Sequence, residues 1–334
     1  MKSGGVLIVF GFVVWITGCN SLPCQNLGNA ETEKKGPKTL LEWNVGKKED
    51  DKDKKDDDKE GKENEKNGEK KENGKNGDKP KENDNGENKD KESEDQEKRI
   101  DTDRPHLPES SSTVGLNRVV LESGFTYNTS GGYFPKYSYP EALVRIGMFA
   151  DWFEFRIAQN VNGEYTTNTL GQRSIATGAN DLQLGVKLAL TEQKQWLPES
   201  CLILQMTVPS GSPGFSANRV LPGLHYDASW EVIKEKFSVE TVLFADGTVD
   251  DVGHTYTLLG HGITAVYSLT KKLEAFGEID SYYSLGESAG PQHYFVGGLV
   301  YFVTKNMEID IRSGVGLNQH SQGYLLGTGF SIRY

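Results

Sequence analysis

Asp181-Leu182-Gln183-Leu184-Gly185-Val186-Lys187-Leu188-Ala189-Leu190 decides the fold. Its leucines and Val186 take alternate positions, and Asp181, Gln183, Gly185 and Lys187 take those between. Successive side chains of a strand point to opposite faces, so this segment is a strand with one apolar and one wet face. Two other stretches repeat the pattern. In Met307-Glu308-Ile309-Asp310-Ile311-Arg312 the charges hold the even positions; in Leu273-Glu274-Ala275-Phe276-Gly277-Glu278-Ile279-Asp280 the acids Glu274, Glu278 and Asp280 share a face.

Working outward, no stretch after Arg104-Pro105 sustains a 3.6-residue apolar period. Period-two segments recur instead, separated by Gly, Asn, Asp, Ser and Pro. Strands are expected near 116–127, 141–149, 152–161, 180–191, 199–208, 221–231, 237–246, 257–269, 272–284, 292–303, 307–317 and 324–334. Residues 162–179 leave room for a further, poorly patterned hairpin. Alternation alone also fits a soluble sandwich. Three features favour a membrane. The segments are long enough for tilted spans of about 9–11 residues. Short connections (150–151, 232–236, 270–271, 304–306) alternate with mostly longer ones, the outer-membrane arrangement of periplasmic turns and extracellular loops. An even strand count puts both termini on the short-turn side. The fold class expected is all-β: a transmembrane antiparallel β-barrel of about twelve strands over 113–334, behind a disordered N-terminal tether.

Lipid offers no partner to a sheet edge, so the strand near Leu116 should pair with the strand ending at Tyr334. That final alternating strand, ending on an aromatic, resembles the signal by which outer-membrane barrels are recognised for insertion by the assembly machinery. Asp181, Gln183, Lys187, Glu274, Glu278, Asp280, Glu308, Asp310 and Arg312 are expected to line the lumen. Acids outnumber bases among them, so an open lumen would attract cations; a closed core of salt bridges is the alternative. Trp152, Phe153, Trp230, Phe237, Tyr267 and Tyr334, near short-turn ends, are expected in an aromatic girdle facing outer-membrane lipids.

Ahead of the barrel the composition changes. The 334-residue chain carries a net charge of −11, and from Lys47 to Arg99 it has no Val, Leu, Ile, Phe, Tyr or Trp. Within 47–100, 17 residues are basic and 21 acidic. Such a run buries too little apolar surface to offset the entropy of ordering, so 20–112 is expected to be disordered. Its mixed signs argue against a nucleic-acid arm. Lys38-Thr-Leu-Leu-Glu-Trp-Asn-Val45 interrupts it as a short docking motif or nothing. Residues 1–19 read as an export signal: Lys2, an apolar run from Val6 to Ile16, then Ile16-Thr17-Gly18-Cys19. That ending resembles the bacterial lipobox, which makes Cys19 the lipidation candidate. Cys19, Cys24 and Cys201 form neither a disulfide framework nor a CxxC metal site. No metal or cofactor is expected.

Gly178-Ala179-Asn180-Asp181-Leu182-Gln183-Leu184-Gly185-Val186-Lys187, and the apolar strand Cys201–Val208 running into Pro209-Ser210-Gly211, resemble the outer-membrane family named for the meta-pathway of phenol degradation. The resemblance covers about two thirds of the chain and none of the tether. It implies transport of small solutes, hydrophobic or aromatic ones among them. Two rival readings stand beside it. One is a structural or adhesive barrel with a periplasmic tether and a plugged pore. The other is a lipid-modifying enzyme, for which the adjacent pair His320-Ser321 lacks an obvious acid to orient it. The solute and the oligomeric state are not legible.

Overall fold

The computed structural model describes residues 38–42, 99–129, 135–167, 171–250, 252–286 and 289–334. The signal segment, Cys19, Cys24 and most of the tether lie outside them. The strands are β1 (Val119–Asn128), β2 (Lys136–Gly147), β3 (Phe153–Thr167), β4 (Arg173–Ala179), β5 (Leu182–Thr191), β6 (Glu199–Val208) and β7 (Leu221–Ile233). They continue as β8 (Phe237–Val249), β9 (Thr255–Thr270), β10 (Leu273–Leu285), β11 (Gln292–Thr304), β12 (Met307–Gly316) and β13 (Tyr324–Arg333). Among the described residues no helix is long and apolar enough to cross a membrane.

Neighbours pair antiparallel, and β1 closes on β13 from Val120 opposite Arg333 to Asn128 opposite Leu325. A closed sheet leaves no edge, the condition for a sheet to span lipid. Twelve strands form the wall. The thirteenth, β4, pairs only with the far half of β3, from Val161 opposite Ala179 to Thr167 opposite Arg173. The near half of β3 pairs with β5. Residues 162–179 therefore hold a hairpin that projects past the wall on the long-loop side. The turns at 234–236, 271–272 and 305–306 mark the short end.

The pleat sorts side chains sharply. On β12, Glu308 and Asp310 are 2% and 4% exposed, whereas Ile309 and Ile311, which alternate with them, are 44% and 59% exposed. The apolar set faces outward, as lipid requires, and the charged set faces the barrel interior. β2 begins at Lys136, before Pro140, whereas the sequence reading begins it at 141. Proline has no N–H to give a ladder. The registers on both sides of β2 skip at that point, between Ser138 and Glu141 on one side and Gly124 and Thr126 on the other. The bulge carries the strand past a residue that could not pair.

Residues 99–112, expected as part of the disordered tether, are described and lie inside the barrel. Residues 38–42 make one turn against the loop between β5 and β6, where Lys38 Nζ lies 3.2 Å from Glu192.

Candidate functional site in the barrel interior

Residues 99–114 occupy the half of the lumen nearest the short turns and leave a cavity of about 540 Å³ between themselves and the wall beside the β7–β8 turn. The segment enters beside the β11–β12 turn, where Ile100 N–H donates to the Lys305 carbonyl at 2.8 Å. Ile100 packs with Val114, Val120, Val300 and Phe302. Arg99 lies 4.2 Å over the Phe302 ring and pairs with Glu274 at 2.8 Å. The segment leaves at the same end, where the Thr113 hydroxyl donates to the Asp151 carbonyl.

Between those ends the wall carboxylates take the backbone. An irregular segment has no ladder, so its buried N–H groups need other acceptors. Glu122 accepts from the N–H groups of Asp103 and Arg104, Glu278 from Leu107, Asp227 from Glu109 and Glu154 from Val114, at 2.8–3.2 Å. The expectation of an open lumen attracting cations is corrected here: these carboxylates serve peptide groups of the chain's own N-terminal segment. Two of them also hold a base from a neighbouring strand, Arg145, which lies 3.2 Å from Glu122 and 2.8 Å from Glu154. Glu308 accepts from the Thr102 hydroxyl at 2.5 Å, and Glu278 also from the Thr264 hydroxyl at 2.6 Å.

The wall cations reach the same segment as well. The Asp103 carboxylate lies 3.1 Å from Arg145, 2.7 Å from Arg156 and 2.7 Å from Lys187. Lys187 also donates to the Ser110 carbonyl at 2.8 Å. Arg104 reaches Asp310 at 3.2 Å and Glu141 at 2.8 Å. Its guanidinium sits where a Cβ on Gly124 or Gly329, which face each other across β1 and β13, would be. Arg312 donates to the Pro105 carbonyl at 2.7 Å. His106 Nδ1 lies 3.2 Å from Glu240, with its ring edge-on to Phe276. Cys201 is buried, its thiol 3.6 Å from the Ser110 carbonyl. Asp280 is buried, and its Oδ1 has no hydrogen-bond partner among the described residues.

Above this plug, on the long-loop side, lies a cavity of about 830 Å³ that Asp181 and Gln183 help to line. Asp181 is not a mid-lumen group. Its carboxylate accepts the N–H groups of Ser210, Gly211 and Ala217 at 2.9–3.0 Å and so pins the loop after β6. Burial would raise its pKa, but the Ser216 hydroxyl and those amides outweigh it and hold the carboxyl below its ordinary value.

The six girdle candidates sit near the short-turn end. Trp152 and Phe153 are edge to face with centroids 6.1 Å apart. Trp230 Nε1 donates to the Trp196 carbonyl at 3.0 Å. Phe237 pairs in register with Tyr267, over whose ring Lys236 lies at 5.5 Å. Tyr334 is exposed. Sequence reasoning missed Asp103, Arg104, Glu122, Glu154, Arg156 and Asp227. One signal stood in the chain: Ile100, Leu107 and Val114 return apolar residues after a long run without them.

Comparison with known proteins agrees with this architecture. A family model described as "Putative MetA-pathway of phenol degradation" matches residues 102–334, most of the plug included. The crystal structure of an outer membrane channel from Pseudomonas putida F1 is similar, at a TM-score of 0.54 and 12% identity, covering 69% of this chain and 100% of that one. The NanC porin gives a TM-score of 0.43 at 12% identity, covering 64% of this chain and 98% of that one. No curated protein matches the chain.

Proposed function

The chain belongs to the family of the phenol-degradation MetA pathway, and from that premise we propose that it is an outer-membrane channel for small solutes, closed at its short-turn half by residues 99–114. The observation that carries this reading is a segment of the chain's own lodged in the bore, with a cavity of about 830 Å³ on the long-loop side of the wall. A twelve-stranded wall encloses more width than eight strands would, and here the extra width is divided between a vestibule and a stopper. In this reading the short turns face the periplasm and the long loops the outside. Residues ahead of Arg99 then lie in the periplasm, where an acyl chain on Cys19 would anchor them. Outer-membrane lipids meet the apolar face of the wall, and the assembly machinery reads the last strand. Catalysis has no part in it.

Conduction requires the plug to shift. Planar-bilayer recordings of the full chain are expected to show rare openings. Arg104→Ala, which frees Asp310 and Glu141 from the plug, is expected to raise open time at least tenfold. A gel position that shifts on heating reports an intact barrel. Silence from both folded proteins would sink the channel reading. It would support the structural or adhesive barrel, which the dense ion pairing of the plug otherwise favours.

A further inference from the structure

We propose that the long-loop vestibule is a binding site for a neutral, polyhydroxylated solute of saccharide type. The inference rests on the channel reading and names the solute class that such a channel would admit.

The cavity is lined by amides and hydroxyls on one continuous part of the wall. Asn160 and Asn162 come from β3, Gln183 from β5, Thr207 from β6 and Thr248 from β8. Among the described residues the side chains of Asn160, Asn162 and Gln183 make no hydrogen bond to protein. The Thr207 hydroxyl oxygen is buried and also lacks a partner. A carboxamide offers two donors and an acceptor in one plane, and each hydroxyl of a sugar is both donor and acceptor. A wall of unspent amides therefore matches vicinal hydroxyls.

The charged lining residues are already engaged. Asp181 is spent on three loop amides. Asp250 accepts from the N–H groups of Val252 and His254 at 3.0 and 2.7 Å. Arg219 donates to the Thr255 hydroxyl at 2.8 Å, and Glu164 pairs with Lys136 at 2.8 Å. Of the charged lining groups only Arg219, on the loop after β6, keeps donors free, so the wall itself offers a solute neutral partners. A hydrophobic or aromatic solute would strip water from the amides and return no hydrogen bonds, which disfavours it. The volume, about 830 Å³, lies within the roughly 300–1,000 Å³ range of small-molecule sites.

Titration calorimetry on the detergent-solubilised full chain, with sucrose and with phenol, tests this. Saturable sucrose binding is expected, weakened at least tenfold in the double variant Asn160→Leu with Gln183→Leu. Phenol is expected to show no saturable binding. Should the double variant fail to fold, Thr207→Val replaces it, with a loss of at least threefold expected. Sucrose binding that is absent, or unchanged in a folded variant, overturns the proposal, and so does saturable phenol binding lost in the same variant. Bilayer conductance on the same preparation keeps the two readings apart. Conductance without sucrose binding sinks the saccharide site and spares the channel; sucrose binding without conductance does the reverse.

Discussion

Arg104 ends where two glycines leave space. Gly124 and Gly329 face each other across the seam of β1 and β13, and the guanidinium lies against both on its way to Asp310 and Glu141. A side chain at either glycine evicts the guanidinium. It strands Asp310, which has no other basic partner within ion-pair distance among the described residues. Removing one partner of a buried pair costs about 3–5 kcal/mol. We predict that Gly329→Val loosens the plug by that order while the barrel stays folded. The check is limited digestion of the full chain in detergent with a glutamate-specific protease: cleavage after Glu109, inside the plug, should accelerate at least tenfold over the parent protein. Equal rates would mean that the glycines serve only the sheet. The place of Arg104 could not be read from the sequence. A glycine in a strand signals close approach, but not by what.

At the scale of elements, local period was enough. Leu182–Leu190 and Met307–Arg312 declare their two faces over a handful of residues, and the strand over 199–208 has the limits expected of it. β4 was harder, because Arg173–Ala179 projects beyond the wall and has no lipid face to imprint an alternation. Closure is a strict requirement at this scale. Deleting 324–334 leaves β1 and β12 with open edges in lipid, at several kcal/mol for each unpaired group. The truncated chain is expected to give no heat-modifiable folded species on a gel, whereas the full chain does. The loop after β6 has its own condition. Asp181 has a pKa depressed by the hydrogen bonds it accepts, so it contributes stability that is complete above the ordinary carboxylate value of about 3.9. That stability is lost as pH falls through the lower folded value. Amide exchange over 209–218 should therefore gain protection less steeply from pH 2 to pH 5 in Asp181→Asn than in the parent, after correction for intrinsic rates.

For the whole molecule, the wall divides lipid from plug. Ile311 is on the lipid side and Lys187 on the plug side. Ile311→Lys is expected to cost about 2–4 kcal/mol if it lies near the midplane, read as a lower urea midpoint in reconstituted vesicles. An unchanged midpoint would argue that β12 does not face hydrocarbon. The plug was the part least legible in advance. Residues 99–114 have no period, because each is held by a different strand of a sheet that must already be closed. Asp103 alone draws on β2, β3 and β5. Beyond the returning apolar residues Ile100, Leu107 and Val114, only the surplus of acids pointed to it, and many of their partners were peptide groups, which every residue but proline carries and no composition reveals. Both ends of this segment emerge at one rim, Ile100 beside Lys305 and Thr113 beside Asp151. It is thus a bight of chain and not a threaded rope. It can be drawn out and reseated without any terminus traversing the bore. Tension applied ahead of Arg99 would meet its fastenings in succession, Glu274 before Glu308 and Glu308 before Glu122. It would open the molecule as a zip opens, at far less force than breaking them all together would take.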